Sequence, residues 1–510
     1  MRIWHRFAAL ACLTLPTTLA TAQEVRLGTD DGSVAVAGTL VSFDGTTYVL
    51  DTVVGQLSFE ADLVSCFGDA CPFIAPPPSD LAVLHDPDLS AEMLATLLAG
   101  YADTLGATVI PDADSTDAPR YALADAEGED LAYVTLRPAD TSSGMVARLA
   151  DDSAMVIAGR PADPDEIAAL AETGPARAEI LALDGLVIVT APDNPLDGIS
   201  LADAARVFSG EAANWSDLGG PDAPVTLYAR DGASGTGRAF ADMVLTPAQV
   251  TLSDSAQFAA SDVELVDLVA ADPDGIGVVG FAATQGVRAL PLIEPCGIVA
   301  AASEFTIRSE EYPLTRRYHA HIRAAEEDPH LLGFLAHLQT PGAQAAMAGT
   351  GLVSQDISTG RAEDQGLRFA SAIQAGNTVD DLRRLQEMVA AMVPGRLLSA
   401  AFRFETGSSA LDARARHDVV RAAAYLGGRP DATARLIGFT DSVGDANLNR
   451  ELASRRAEQV QAALVAEEPT LADRITFETH GYGGLSPLAC NETATGRWIN
   501  RRVELWIEEP

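Results

Sequence analysis

The sequence predicts a multidomain protein with a small N-terminal β-module, a two-lobed α/β domain in the middle and a C-terminal α/β domain. Three observations support this fold class. The 510 residues exceed what a single hydrophobic core usually holds. Short alternating apolar stretches with Gly-containing turns fill residues 23–78, whereas strand and helix patterns alternate over residues 79–357. Pro394-Gly395 ends a short helical segment, after which residues 396–510 again combine strands with helices.

The chain begins with a predicted secretory signal peptide over residues 1–22. A basic start at Arg2 precedes an apolar run over residues 7–19 and the small-residue cleavage sequence Ala20-Thr21-Ala22. Lipoprotein processing at Cys12 is the alternative. No later stretch is long and apolar enough to predict a transmembrane span. We therefore expect a periplasmic protein.

The composition is strongly acidic, with a formal net charge of −38, and all 34 basic residues are arginine. An acidic surface repels the phosphates of nucleic acids and the headgroups of anionic lipids. We therefore expect no nucleic-acid partner.

Residues 23–78 form the predicted β-module. Apolar and polar residues alternate at Val34-x-Val36 and at Tyr48-x-Leu50, and the turn sequence Asp44-Gly45 lies between these stretches. Pro76-Pro77-Pro78 ends the module. It contains no catalytic arrangement, and we expect an accessory or docking role.

Four cysteines remain after removal of the signal peptide, and in an oxidising compartment they allow three pairings. Cys66 and Cys71 enclose a turn-prone segment, which favours a local disulfide. Cys296 and Cys490 then either pair with each other or stay buried as thiols. No CxxC sequence or histidine cluster accompanies them, so we predict no metal site.

The middle region, residues 79–357, is predicted to fold as two α/β lobes around a cleft. Strands are expected at residues 81–84, 155–158 and 185–189, with a helix over residues 91–105. No glycine-rich nucleotide motif interrupts this long region, so a two-lobed binding domain explains it better than a dinucleotide fold.

One segment of this region has the composition of an anion site. Small residues in Ser234-Gly235-Thr236 let backbone N–H groups approach a ligand at a helix start. The hydroxyls of Ser234 and Thr236 add donors, and Arg230 adds a guanidinium that can hold two oxygens. Asp231 would accept a proton from a monohydrogen oxyanion. The alternative is an ordinary helix capped by serine.

This region resembles the phosphate-binding proteins of ABC importers, which have a type II periplasmic binding fold. The likeness is carried by residues 182–189, 214–218, 230–237, 275–277 and 311–317. It implies an oxyanion ligand such as phosphate, bound by Arg230, Asp231, Ser234, Gly235 and Thr236, and an ABC permease as partner.

The first lobe departs from the family pattern. Where the family has a small-residue loop that donates hydrogen bonds to phosphate, this chain has His85-Asp86-Pro87-Asp88-Leu89-Ser90. Two carboxylates and a proline remove donors and repel an anion. Ser142 and Ser143 are candidates for the missing contact, with a plain helix cap as the alternative.

Residues 358–395 are predicted to be a helical linker. Leu385, Met388 and Met392 recur at helical spacing, which indicates a face that packs against a neighbouring domain. The repeat is too short for a coiled-coil seam.

The C-terminal region, residues 396–510, contains a second candidate site. Thr440 and Asp441 end a predicted strand, and Asn449 and Arg456 lie seven residues apart on one face of the following helix. A carboxylate that binds an ammonium and a guanidinium that binds a carboxylate suit a zwitterionic ligand. The alternative is a surface ion pair, worth less than about 1 kcal/mol.

With Phe402-x-Phe404 and Asn500-Arg501-Arg502, these residues resemble the OmpA-like peptidoglycan-binding domain. The resemblance implies peptidoglycan as partner, bound through its diaminopimelate. It assigns the ligand to Asp441 and Arg456, with Thr440, Asn449 and Arg501 in support.

No catalytic residues and no cofactor are predicted, because the eight histidines lie in no catalytic motif. His319, His321, His330 and His337 are expected on helix surfaces. We therefore predict an exported, non-enzymatic protein associated with the cell wall or outer membrane, which binds peptidoglycan and a small solute. The alternative is a structural envelope protein whose solute domain has lost its ligand.

Overall fold

A computed structural model describes residues 24–29, 35–68, 70–72, 77–113, 115, 118–139, 146–150, 155–171, 174–375, 378–400, 402–411 and 413–510. The predicted signal peptide and the candidate residues Ser142 and Ser143 lie outside these ranges. The chain divides into two compact units, residues 1–77 and 78–510.

The described part of the first unit is an antiparallel sheet of five strands in the order β4-β3-β2-β1-β5. Val25, Leu27, Tyr48 and Leu50 form its small core, and a disulfide joins Cys66 to Cys71. The strands are β1 (Glu24–Gly28), β2 (Ala35–Phe43), β3 (Thr47–Thr52), β4 (Gly55–Glu60) and β5 (Ser65–Phe67).

The middle of the chain is an α/β domain. Its strands are β6 (Ser79–His85), β7 (Thr108–Pro111), β8 (Arg120–Ala124), β9 (Asp130–Pro138), β10 (Met155–Ala158), β11 (Ala176–Thr190), β12 (Thr226–Ala229), β13 (Gln257–Phe258), β14 (Gly275–Gly280), β15 (Arg288–Ala289), β16 (Leu292–Ile293), β17 (Val299–Ala300) and β18 (Thr315–Arg323). Its helices are α1 (Ala91–Leu105), α2 (Pro164–Ala171), α3 (Leu201–Phe208), α4 (Gly235–Phe240), α5 (Asp262–Ala271), α6 (Glu304–Arg308), α7 (Pro329–Leu338) and α8 (Pro341–Gly349).

Two hydrophobic cores divide this domain into two lobes, which confirms the predicted fold class. The antiparallel strands β11 and β18 lie at the centre of the main sheet. Along β11 the packing changes from one core to the other, since Leu181 and Ala182 belong to the first lobe and Leu183 and Leu186 to the second. The cleft between the lobes therefore lies next to these two strands.

The residues that follow β6 are held in a fixed conformation before α1. The side chain of Ser90 caps the helix by accepting a hydrogen bond from the amide of Met93 at 3.1 Å. The helix ends at Gly106, which has a φ of 66°. The cap and the glycine explain why the predicted bounds of this helix, residues 91–105, match the structure.

The segment predicted as a linker contributes to the C-terminal sheet. Its described residues form β19 (Thr359–Arg361), α9 (Gly366–Ala375) and α10 (Val379–Met392), and β19 pairs with β20 (Arg396–Leu398). The apolar face of α10 is buried against Phe439 and Trp506. It therefore packs against the neighbouring domain, as its spacing indicates.

The C-terminal domain has helices packed against a mixed sheet, whose described strands follow the order β19-β20-β24-β22-β23 with β21 paired to β24. The remaining elements are β21 (Phe402–Arg403), α11 (Ala413–Gly427), β22 (Thr433–Phe439), α12 (Ala446–Glu467), α13 (Leu471–Arg474), β23 (Thr476–Gly483), α14 (Ala494–Asn500) and β24 (Arg502–Glu508). Within the described ranges, every helix is too short or too polar to cross a bilayer.

The middle and C-terminal domains are joined by covalent and polar contacts. A disulfide links Cys296 to Cys490. Arg403, which is 2% exposed, donates from Nη2 to the carbonyls of Ser309 and Glu310 at 3.0 and 2.9 Å. Because these contacts are buried, the two domains share a specific interface.

Candidate functional site

The candidate anion segment follows β12 in the second lobe. Asp231 shapes the turn, because its Oδ1 accepts hydrogen bonds from the amides of Ala233 and Ser234. The Ser234 hydroxyl caps α4 by accepting from the Gly237 amide at 2.9 Å. These two candidates therefore build the loop, while Arg230 and Thr236 supply its remaining donors.

Arg230 and Thr236 meet a carboxylate of the protein itself. Oδ2 of Asp88 accepts hydrogen bonds from the amide and the hydroxyl of Thr236 at 2.7 and 2.8 Å. Oδ1 of Asp88 lies 3.1 Å from Nη2 of Arg230. Burial raises the pKa of Asp88, but the charges of Arg316 and Arg230 and the hydrogen bonds from Thr236 outweigh it and bring the pKa below its usual value.

Arg316 on β18 is the second guanidinium of this cluster. It donates from Nε and Nη2 to Oδ2 of Asp184 at 3.0 and 2.8 Å, and from Nη2 to the Thr236 hydroxyl at 3.1 Å. Arg230 in turn pairs with Asp262, whose other oxygen accepts from the Gly280 amide. Asp184, Asp262 and Arg316 are not among the site residues predicted from the sequence.

The cluster contains more carboxylates than guanidiniums. Among the described residues it brings together Asp86, Asp88, Asp184 and Asp262 with Arg230 and Arg316. Gly235 lies against Asp86, since a Cβ there would stand 2.1 Å from Oδ2. Oδ2 of Asp86 and Nη1 of Arg316 have no hydrogen-bond partner among the described residues. Four carboxylates against two guanidiniums leave a formal excess of two negative charges, and Asp86 is the carboxylate of the four without an ion pair to either arginine.

Asp86 provides a test of this charge balance. Burial and the negative charge of Asp88 raise its pKa from 3.8 to about 6, against the charge of Arg316. The folded state therefore binds the proton more tightly than the unfolded state, and stability falls as the pH rises from about 4 to about 6.

Asp86→Asn is therefore expected to stabilise the protein by up to about 3 kcal/mol at pH 8. Thermal unfolding of the full chain at several pH values measures the effect, which should shrink as the pH is lowered to 4. The exposed Asp193→Asn serves as control. An equal gain in both variants, or a gain independent of pH, would contradict the assignment.

The C-terminal candidate site forms where β22 ends. Asp441 accepts from Nη1 of Arg501 at 3.0 Å through Oδ2, and from the Val443 amide at 3.1 Å through Oδ1. Nδ2 of Asn449 donates to the Val443 carbonyl at 3.0 Å, and the Thr440 hydroxyl donates to the Asp441 carbonyl at 2.9 Å. The structure thus brings these four candidates together around one loop.

Arg456 lies beneath this loop and has no exposed surface. Its Nε donates to the Ser408 carbonyl at 2.9 Å, and its Nη2 donates to the Glu405 carbonyl at 3.0 Å. Burial, followed by the charge of Arg501, lowers the pKa of Arg456 to about 10, against the charge of Asp441. In this conformation Arg501, and not Arg456, contacts Asp441.

A cavity of about 380 Å³ opens beside this loop. Asn449 and Tyr482 line it together with Ser442. Arg384 of α10 completes one wall and pairs with Asp381 at 2.7 Å. Ser442 and Gly444 of the loop after Asp441 line the cavity, which places it next to the candidate residues.

Comparisons with known proteins agree with the two-part organisation. The family model for the PBP superfamily domain matches residues 113–345, and the OmpA family model matches residues 403–501. Outer membrane protein Omp38 of Acinetobacter baumannii is 38% identical over 100 residues, which is 20% of this chain and 28% of that protein. Phosphate-binding protein PstS of Borreliella burgdorferi is 27% identical over 151 residues, 28% of this chain and 52% of that protein.

Among solved structures, an ABC-type phosphate transport receptor from Vibrio cholerae matches with a TM-score of 0.43 and 17% identity. The match covers 54% of this chain and 99% of that one. The chain spans from about a quarter to about half of the length of the two curated relatives.

Proposed function

Because the chain joins a domain of the PBP superfamily to a domain of the OmpA family, we propose that it is an exported cell-envelope protein that binds peptidoglycan non-covalently. The C-terminal domain is the wall-binding part, and the middle domain binds a small solute, phosphate or a related oxyanion. We place the protein in the periplasm at the cell wall or outer membrane, with an ABC permease as the partner of the middle domain. No catalytic step is proposed.

The observation that carries the wall-binding role is the pairing of Asp441 with Arg501 beside an open, polar cavity. The ammonium of diaminopimelate would bind the Asp441 carboxylate, and its carboxylate would bind Arg501. Arg456 supports the loop from below. The similarity of the C-terminal domain to outer membrane proteins also supports the wall-binding role.

Asp441→Ala is expected to abolish co-sedimentation of the full chain with purified peptidoglycan. Loss of a buried charged partner costs at least about 2 kcal/mol, or about thirtyfold in affinity. Arg455→Ala, on the exposed side of α12, is the matched control and should sediment like the wild type. If Asp441→Ala also sediments fully while circular dichroism shows a folded protein, the assignment of the site is wrong.

The proposed oxyanion binding by the middle domain is supported by the contact of Arg230 and Thr236 with the Asp88 carboxylate. Their donors surround a carboxylate, so their spacing and charge fit an oxyanion. Calorimetric titration of phosphate into the full chain is expected to give one-to-one binding that Arg230→Ala removes. Binding unchanged in Arg230→Ala would contradict this site.

The contact of Asp88 with Arg230 and Thr236 also favours a second function. A carboxylate of the protein fills the anion position, which is the arrangement expected of a structural envelope protein whose solute domain is occupied internally. An absence of phosphate binding in the wild type, with intact sedimentation on peptidoglycan, would select this alternative.

A further inference from the structure

We propose that Asp88 acts as an internal ligand of the cleft, which an external oxyanion must displace. The proposal rests on the proposed function in one respect: it takes Arg230 and Thr236 as the oxyanion site. It adds that the site is occupied in the absence of solute, and it names the residue responsible.

The donors that an oxyanion needs are engaged by Asp88. Oδ2 of Asp88 accepts hydrogen bonds from the amide and the hydroxyl of Thr236, and Oδ1 pairs with Nη2 of Arg230. Arg316 stands 3.6 Å from the same carboxylate. With Asp88 in place, Nη1 of Arg316 and Nε of Arg230 are the buried side-chain donors of these three described residues that lack a hydrogen-bond partner.

The backbone presents Asp88 in this position. Its own amide donates to Oδ1 of Asp86 at 3.0 Å, and the amide of Leu89 donates to the Asp86 carbonyl at 3.0 Å. Ser90 then caps α1. The turn and the cap together fix the segment between β6 and α1. The Asp88 side chain therefore loses little further conformational entropy when it contacts Arg230 and Thr236.

The contact also links the two lobes. Asp88 belongs to the first lobe, where Leu89 is part of the core, whereas Arg230 and Thr236 belong to the second lobe, whose core includes Ala229 and Phe240. A solute that binds both lobes of a cleft stabilises the closed form. Here the carboxylate of Asp88 makes that link from within the chain.

An internal ligand weakens the binding of an external one. A tethered group competes at a high effective concentration, on the order of millimolar or above. After displacement of Asp88, the carboxylates of Asp86, Asp184 and Asp262 still outnumber Arg230 and Arg316. Phosphate binding by the wild type is therefore expected to be weak, and removal of the Asp88 carboxylate should strengthen it.

The test is calorimetric titration of inorganic phosphate into the full-length wild type and into Asp88→Ser, with the exposed Asp193→Ser as matched control. Asp88→Ser is expected to bind one phosphate at least about tenfold more tightly than the wild type, and Asp193→Ser to match the wild type. Asp88→Asn, which keeps the size and loses the charge, should lie between them. Equal affinity of Asp88→Ser and wild type would overturn the proposal and leave the proposed function standing.

Hydrogen exchange at the Thr236 amide separates the remaining outcomes. In the absence of phosphate, exchange at this amide should be at least tenfold faster in Asp88→Ser than in the wild type. Faster exchange with no phosphate binding in any variant would support the internal ligand and overturn the oxyanion function. Unchanged exchange would overturn the internal ligand, because Asp88 would then not hold this amide.

Discussion

Replacing Arg316 with alanine is expected to destabilise the middle domain by about 3–5 kcal/mol. The Arg316 side chain is 3% exposed and is the partner of Asp184, which is equally buried. It also donates to the Thr236 hydroxyl and lies near Asp88. Without the guanidinium, buried carboxylates lose their compensating charge, and leaving a buried charge unpaired is costly. Urea unfolding of the full chain at pH 7 measures the loss.

Arg238→Ala is the matched control for Arg316→Ala. Arg238 is about one-third exposed and pairs with Asp242 one helical turn away, an arrangement worth less than about 1 kcal/mol. If both variants lose the same small amount, Arg316 does not organise the cluster. A large loss for Arg316→Ala alone would identify it as the residue that balances the carboxylates.

Replacing Arg403 with alanine is expected to cost about 3–5 kcal/mol at the junction between the middle and C-terminal domains. Its guanidinium binds the carbonyls of Ser309 and Glu310 on one side and that of Ile499 on the other, and it lies over the Trp498 ring at 5.0 Å. Removal leaves buried carbonyl groups without a donor. Burial lowers the pKa of this arginine, against the charges of Glu310, Glu311 and Glu504.

Urea unfolding followed by limited proteolysis would measure the Arg403→Ala effect. We expect cleavage near the junction at lower urea than in the wild type. Arg455→Ala, an exposed arginine of the same domain, should leave the proteolysis pattern unchanged. A difference below about 1 kcal/mol between the two variants would show that the disulfide holds the junction without help from Arg403.

Local elements were predictable where the signal lies in neighbouring residues. Ser90 and Gly106 mark both ends of α1, and the apolar run at residues 155–158 coincides with β10. The prediction for β11 captured only residues 185–189, the C-terminal part of a strand that begins at Ala176. Its first half alternates apolar and charged residues and depends on pairing with β18.

The placement of His319 and His321 on a helix surface is wrong. Both lie in β18, where burial, followed by the charge of His321, lowers the pKa of His319 to about 3. Alternation in Tyr318-His319-Ala320-His321-Ile322 is the signal that would have indicated a strand. His330 and His337 do lie in α7.

The side-chain contacts in the cleft were less predictable than the strands and helices that surround it. The two carboxylates of Asp86 and Asp88 indicate from sequence that the first lobe disfavours an anion. The contact of Asp88 with Thr236, which lies 148 residues away, is not indicated by any local pattern. The partnership of Arg316 with Asp184 spans 132 residues. The contact of Asp88 with Thr236 depends on the meeting of the two lobes, and that of Asp184 with Arg316 depends on the antiparallel pairing of β11 with β18. No local spacing encodes either contact.

The disulfide between Cys296 and Cys490 assigns different mechanical roles to the two lobes. Cys296 belongs to the second lobe and Cys490 to the C-terminal domain, so the second lobe is covalently tied to the part of the chain that we propose to hold the wall. An opening of the cleft would then move the first lobe relative to the second lobe and the C-terminal domain, with β11 and β18 between them. A label placed on the first lobe would report such a movement, whereas one on the second lobe would keep its distance from the C-terminal domain.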